Sequence, residues 1–153
     1  MKKIIIALII ILIGIQFIPV ERTNPPVTGD IGAPANVSNI FRTSCYDCHS
    51  NETTWPWYSY IAPVSFLVAD DVKEGRKHMN FSEWDKYDGE KKEKFLEEII
   101  EVVEEGEMPL TSYTFTHPNA KLDAYRIKMI KDWINPGRTL EETLRNESER
   151  EKD

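Results

Sequence analysis

The chain has 153 residues, 41% of them hydrophobic and 29% charged, with a formal net charge of -7. This is length for one domain around a single core. The acidic balance argues against nucleic acid as a partner, because phosphate binding needs a basic face; it either favours a basic surface on a protein partner or simply keeps the chain soluble.

Lys2 and Lys3 precede an apolar run from Ile4 to Val20, broken only by Gly14, Gln16 and Pro19. Lysines ahead of an apolar stretch are the pattern of a targeting segment whose lysines stay cytoplasmic. The run closes without a small-x-small cleavage site or a lipobox cysteine. The expectation is an uncleaved signal-anchor helix over residues 1–20, at the short end of what spans a bilayer. It would fix the protein to the inner membrane through residues 4–20, with the rest on the periplasmic face of a bacterial cell envelope. Residues 21–36 hold Asn24-Pro25-Pro26 and Gly29-Asp30-Ile31-Gly32-Ala33-Pro34, a density of Pro and Gly that reads as an extended spacer.

Residues 37–136 read as one helical domain. Val37, Ile40 and Phe41 stand at helical spacing and predict a short amphipathic helix running into Cys45. An aromatic loop, Trp55-Pro56-Trp57-Tyr58-Ser59-Tyr60, follows. Pro63 suits the first turn of a helix running through Val64, Leu67, Val68 and Val72 towards Lys77. Asn80-Phe81-Ser82 reads as a turn, with Ser82 capping Glu83-Trp84-Asp85. The clearest helix spans Glu90 to Glu105, with an apolar stripe through Phe95, Leu96, Ile99, Ile100, Val102 and Val103, and Gly106 stops it. A last helix from Asp123 to Ile134 turns Ile127, Ile130, Trp133 and Ile134 inward and ends at Asn135-Pro136-Gly137. Residues 137–153 form a charged C-terminal tail. No alternating strand pattern is present, so the fold class is all-α, a few helices wrapped around something; the protein part is short of core for its size, a gap that a large apolar cofactor would fill.

The chain's two cysteines fall in Cys45-Tyr46-Asp47-Cys48-His49, a C-x-x-C-H motif. A disulfide framework needs more cysteines at wider spacing. Two thiols three apart on a helical turn reach the two vinyl groups on one haem edge, and the next residue brings an imidazole to the iron. Two rivals share the motif. A dithiol redox pair follows a strand in a βαβ unit, and a structural zinc site needs a second Cys/His pair. Neither pattern is visible, since His78 and His117 stand apart. The reading is one covalent haem c on Cys45 and Cys48, with His49 as proximal iron ligand.

Met108 is the leading distal ligand: it precedes Pro109 in a loop after Gly106, outside any apolar stripe, where proline holds the loop shape. His117 and His78 are the alternatives, and an open sixth site is a further one. His/Met ligation raises the reduction potential relative to His/His. The aromatics Trp55, Trp57, Tyr58 and Tyr60 could wall a haem, hydrogen-bond a propionate or simply form core. Arg42 and Arg76 could pair with propionates or be surface charges. Four N-x-S/T sequons, at Asn36, Asn51, Asn80 and Asn146, read as incidental.

With these motifs the chain resembles the bacterial haem-binding domain family, small monohaem c-type cytochromes. The resemblance runs from Asn24-Pro25-Pro26 through the Cys45–Thr53 stretch, Trp55-Pro56-Trp57-Tyr58-Ser59, Ile61-Ala62-Pro63, Asn80-Phe81-Ser82-Glu83-Trp84, Glu107-Met108-Pro109-Leu110 and His117-Pro118 to Trp133. The order of C-x-x-C-H and Met-Pro is also similar to class I cytochromes c. The resemblance implies covalent haem and a cytochrome c-like helical fold, and brings no substrate or partner. The expected function is electron transfer to a redox partner protein. No Ser/His/Asp set, phosphate loop or carboxylate pair points to catalysis. The rivals are a haem-based sensor or small haem enzyme with an open or displaceable sixth ligand, and a zinc or dithiol module.

Overall fold

Ile18, with φ -74° and ψ 119°, is where the N-terminal apolar run leaves the helical path. A residue before proline is biased out of the α region, and Pro19 follows it. The computed structural model describes residues 1–137. Among them every regular element is a helix or a helical turn, as the all-α expectation required, and no strand occurs. The tail beyond Gly137 lies outside the described residues.

The first helix, α1 (Lys2–Gly14), has 13 residues and continues only into a 3-10 turn over Ile15–Phe17. At 1.5 Å per residue α1 is about 20 Å long, against a hydrocarbon core of roughly 30 Å. The membrane-helix expectation is therefore corrected. Among the described residues no helix is long and apolar enough to cross a membrane, and the inner-membrane anchoring and periplasmic location built on residues 4–20 lose their support. The physical reason is local. Pro19 ends the helix, and the Gln16 side chain is taken up by the backbone of Ala62, where Nε2 donates to the carbonyl oxygen at 3.0 Å and Oε1 accepts the N–H at 3.0 Å.

The described chain divides into two units, one of Met1–Asp30 and Tyr46–Glu83, the other of Ile31–Cys45 and the chain from Trp84 onward. In the first unit the proline-rich stretch lies along the domain. Arg22 Nη1 donates to the Ser59 carbonyl at 3.1 Å, with the guanidinium 4.4 Å from the Tyr60 ring centroid. Asn24 Nδ2 donates to the Thr53 carbonyl at 2.9 Å. A 3-10 turn over Trp57–Tyr60 and α4 (Val64–His78) complete the frame. Pro63 precedes α4 as its N-cap, and Arg76, Lys77 and His78 sit in its last turn, where cations suit the negative end of the helix dipole. Val72 and Ser65 are its buried residues, while Val64 and Leu67 are exposed.

In the second unit α2 (Ala35–Ser44) buries Val37, Ile40 and Phe41. Asp88 caps α5 (Gly89–Glu104) by accepting from the Lys91 N–H at 2.8 Å, and Phe95, Ile99 and Val103 face inward. Asp123 caps α7 (Ala124–Ile134) in the same way through the Arg126 N–H. Phe41, Ala120 and Ile130 are fully buried, and Phe41 meets Trp133 edge-on at 5.9 Å. α5 and α2 both pack on α7.

Candidate functional site

The C-x-x-C-H motif begins where α2 stops. Cys45 caps α2 with φ -128° and ψ -33°, and its N–H donates to the Phe41 carbonyl at 2.8 Å. A single helical turn, α3 (Tyr46–His49), then carries Cys48 and His49. So short a turn cannot hold itself, and its carbonyls are met by side chains just beyond it. Ser50 Oγ donates to the Tyr46 carbonyl at 2.7 Å and Thr53 Oγ1 to the Asp47 carbonyl at 2.7 Å, while Asp47 Oδ1 accepts from the Thr54 N–H at 2.9 Å. Tyr46 is buried, stacks on Phe81 with ring centroids 5.1 Å apart, and donates its hydroxyl to Asp30 at 3.1 Å.

His49 is half-buried, and its Nδ1 lies 3.1 Å from the Met79 carbonyl oxygen. A carbonyl only accepts, so Nδ1 carries the proton and Nε2 is the nitrogen with the lone pair. Phe81 meets the imidazole edge-on at 6.3 Å. α4 comes so close beneath the motif that a Cβ on Gly75 would stand 2.6 Å from the Cys48 carbonyl oxygen.

Neither cysteine is in a disulfide. Burial pushes the Cys48 thiol up to about 12, the Asp71 and Asp47 carboxylates push it the same way, and Arg76 opposes them. Arg76 is committed to holding the chain together. Its Nε donates to the Ser50 carbonyl at 2.7 Å, Nη1 to the Thr23 carbonyl at 2.8 Å, and Nη2 to Asn24 Oδ1 at 2.9 Å and Thr53 Oγ1 at 2.7 Å.

Of the candidate sixth ligands, His78 ends α4 in the first unit and is exposed. Met108 belongs to the second unit. Gly106, at φ +72°, reverses the chain after α5, so that the Glu107 and Met108 N–H groups both donate to the Val102 carbonyl. This is a left-handed helix stop that favours glycine, and it leaves Met108 half-buried. His117 follows α6 (Thr111–Thr116), stacks on Tyr113 at 4.3 Å, and brings Nδ1 within 3.2 Å of the Tyr113 carbonyl.

The aromatic loop divides. Trp57 is 75% exposed, whereas the Trp55 indole N–H is buried with no hydrogen-bond partner among the described residues. A buried donor of this kind suits an acceptor such as a propionate oxygen. Within the first unit, a thiol outside any disulfide at Cys48 and the neighbouring His49 imidazole, whose Nδ1 faces a carbonyl, are donor types that suit a haem. The Met79 carbonyl and Gly75 were not legible as site residues. A backbone acceptor has no side-chain signature, but a glycine inside a helix is a signal, because it lowers helix stability without a packing reason.

A family model described as a haem-binding domain matches residues 10–136. No curated protein and no solved structure matches the chain.

Proposed function

The chain belongs to the haem-binding domain family, and from that membership we propose that it carries one haem c on Cys45 and Cys48 and serves as an electron-transfer protein. His49 is its proximal iron ligand and Met108 the distal one. The observation that carries the reading is the 3.1 Å approach of His49 Nδ1 to the Met79 carbonyl. A metal-ligating histidine characteristically gives its other ring N–H to such an acceptor, which fixes the tautomer, orients the ring and raises the ligand's basicity.

Bound haem supplies a one-electron iron couple. The chain's own groups tune it: His49 offers a basic Nε2, and a Met108 thioether would raise the reduction potential. The Trp55 N–H is suited to hold a carboxylate. A zinc or dithiol role has less support. Both need a thiolate, and the Cys48 thiol is held protonated to about 12. Among the described residues no group of three or more His, Cys, Asp or Glu could hold a metal ion. His117 is a second reading for the sixth ligand: its Nδ1 lies 3.2 Å from the Tyr113 carbonyl and 3.1 Å from the Thr116 hydroxyl, and Nε2 is the lone-pair nitrogen when the carbonyl takes the Nδ1 proton.

The test is the intact mass of the full chain produced with haem-attachment machinery. The parent should gain the mass of one haem, and a Cys45→Ala/Cys48→Ala double variant should gain none. An unmodified parent would overturn the reading. Ready binding of carbon monoxide by the reduced holoprotein would replace the electron carrier with an open-site haem protein.

A further inference from the structure

We propose that Asn51, Asn80 and Ser82 form a positioning knot that fixes the tautomer and direction of His49, and so tunes the iron through it; the tuning rests on His49 being the proximal ligand. The three residues are 3%, 4% and 1% exposed. They bond in a closed cycle. Asn80 Nδ2 donates to Asn51 Oδ1 at 2.8 Å, the Asn51 N–H donates to Ser82 Oγ at 3.0 Å, and the Ser82 N–H donates to Asn80 Oδ1 at 3.0 Å. A fourth bond leaves the cycle, from Asn51 Nδ2 to the Pro26 carbonyl at 2.9 Å. No buried polar side-chain atom of the three is left without a partner.

The position of the knot gives it a function. Asn51 lies two residues after His49, and Asn80 lies next to Met79, whose carbonyl accepts from the imidazole. Donor and acceptor are therefore each tied down within two residues, and the tie joins the segments that carry them. Ser82 adds a second brace, because its carbonyl accepts from the Thr28 and Gly29 N–H groups at 2.9 Å each.

The cycle also has a direction that only amides supply. The Ser82 N–H can only donate, so Asn80 must present its oxygen there and its NH₂ to Asn51. Asn51 must then accept with its oxygen, and its NH₂ is left for the Pro26 carbonyl, which can only accept. A carboxylate at position 80 has nearly the same shape, but it faces the Asn51 oxygen with a lone pair. Asn51 could answer only by turning over and giving up Pro26. Asn80→Asp thus breaks the order of the cycle with almost no change in volume.

The decisive measurement is the ring nitrogen chemical shifts of His49 in the full chain labelled with nitrogen-15 histidine, made without haem and paired with the reduction potential of the holoprotein. The parent should show the Nδ1–H tautomer. In Asn80→Asp its population should fall to about half or less, because the tautomer follows the bond that the other nitrogen makes. The holoprotein potential should rise, because a less basic imidazole stabilises ferric iron less. Ser82→Ala removes one link only and should move both readouts the same way by less; it decides the matter if Asn80→Asp fails to fold. A purely structural knot would lower the melting temperature and leave tautomer and potential at parent values, and that result would overturn the proposal. If the parent carries no haem, the haem reading fails on its mass, while the tautomer still decides the knot.

Discussion

A Cβ on Gly75 would meet the Cys48 carbonyl oxygen at 2.6 Å and its carbonyl carbon at 3.0 Å. Both atoms are backbone, so no side-chain rotation relieves the clash, and α4 must move away from the turn that carries Cys48 and His49. Gly75→Ala should destabilise the protein by about 1–3 kcal/mol, the usual range for overpacking, despite alanine's better helix propensity. Haem per polypeptide should fall with it. Urea unfolding and haem absorbance measure the two effects, and a variant as stable as the parent would show that α4 has room to spare.

Arg76 ties four groups on three stretches of chain, Thr23 and Asn24, Ser50, and Thr53. A guanidinium does this with a rigid planar fork, and an ammonium cannot span the same partners. Arg76→Lys should lose about 1–3 kcal/mol, the scale of losing hydrogen bonds made by a charged group. Limited proteolysis should cut the 19–25 stretch sooner. Equal protease resistance in parent and variant would mean that this stretch is held by other contacts.

The elements that were legible in the sequence are those whose signals are local. The α5 and α7 helices follow from apolar periodicity with Gly106 and Asp123 as punctuation, and the observed ends lie within a residue of the expected ones. The C-x-x-C-H motif was legible because its chemistry sits in adjacent side chains. The helix over Thr111–Thr116 was not, because Thr, Ser, Tyr and Phe are weak helix formers that a tertiary setting must recruit. Ser82 was expected to cap its own turn, yet its hydroxyl accepts from Asn51, 31 residues away. Arg76 read as a propionate partner or a surface charge for the same reason: nothing local announces four distant acceptors. At the N-terminus, hydropathy weighs side chains one by one. It counted Gln16 as a minor interruption, where the structure makes it a two-point clamp.

That clamp has its own consequence. Gln16→Leu would lengthen the apolar run while deleting both bonds to Ala62. Loss of one or two hydrogen bonds of this kind costs about 1–1.5 kcal/mol. Exchange of the Ala62 amide proton should therefore speed up by about tenfold at constant pH, with amides in α7 unaffected. Unchanged exchange at Ala62 would mean that Gln16 does not hold the segment.

The Cys48 thiol predicts a pH dependence for the chain without haem. Its proton is held to about 12 in the folded state, against an ordinary value of 9.0. The folded state then binds more protons than the unfolded state between these two values. Stability from this group is complete below about pH 9 and declines as pH rises towards 12, by at most about 1.4 kcal/mol per pH unit. Lysines and tyrosines titrate in the same range, so the measurement is the difference from Cys48→Ala in urea unfolding at pH 8 and pH 10. The parent should lose more stability than the variant over that interval. Parallel losses would place the thiol in a wetter site than its burial implies.

The sixth ligand separates Met108 from His117 by the sign of a potential. If Met108 binds the iron, Met108→His exchanges a thioether for an imidazole, and the reduction potential should fall, because methionine ligation raises it. Met108→Ala should convert the low-spin spectrum to one that admits carbon monoxide in the reduced form, and His117→Ala should leave spectrum and potential unchanged. If His117→Ala opens the site instead, the ring stacked on Tyr113 is the ligand, and the loop that Gly106 turns serves only to close α5. The same three variants, read by absorbance and potentiometry, therefore decide between Met108 and His117 as the distal ligand.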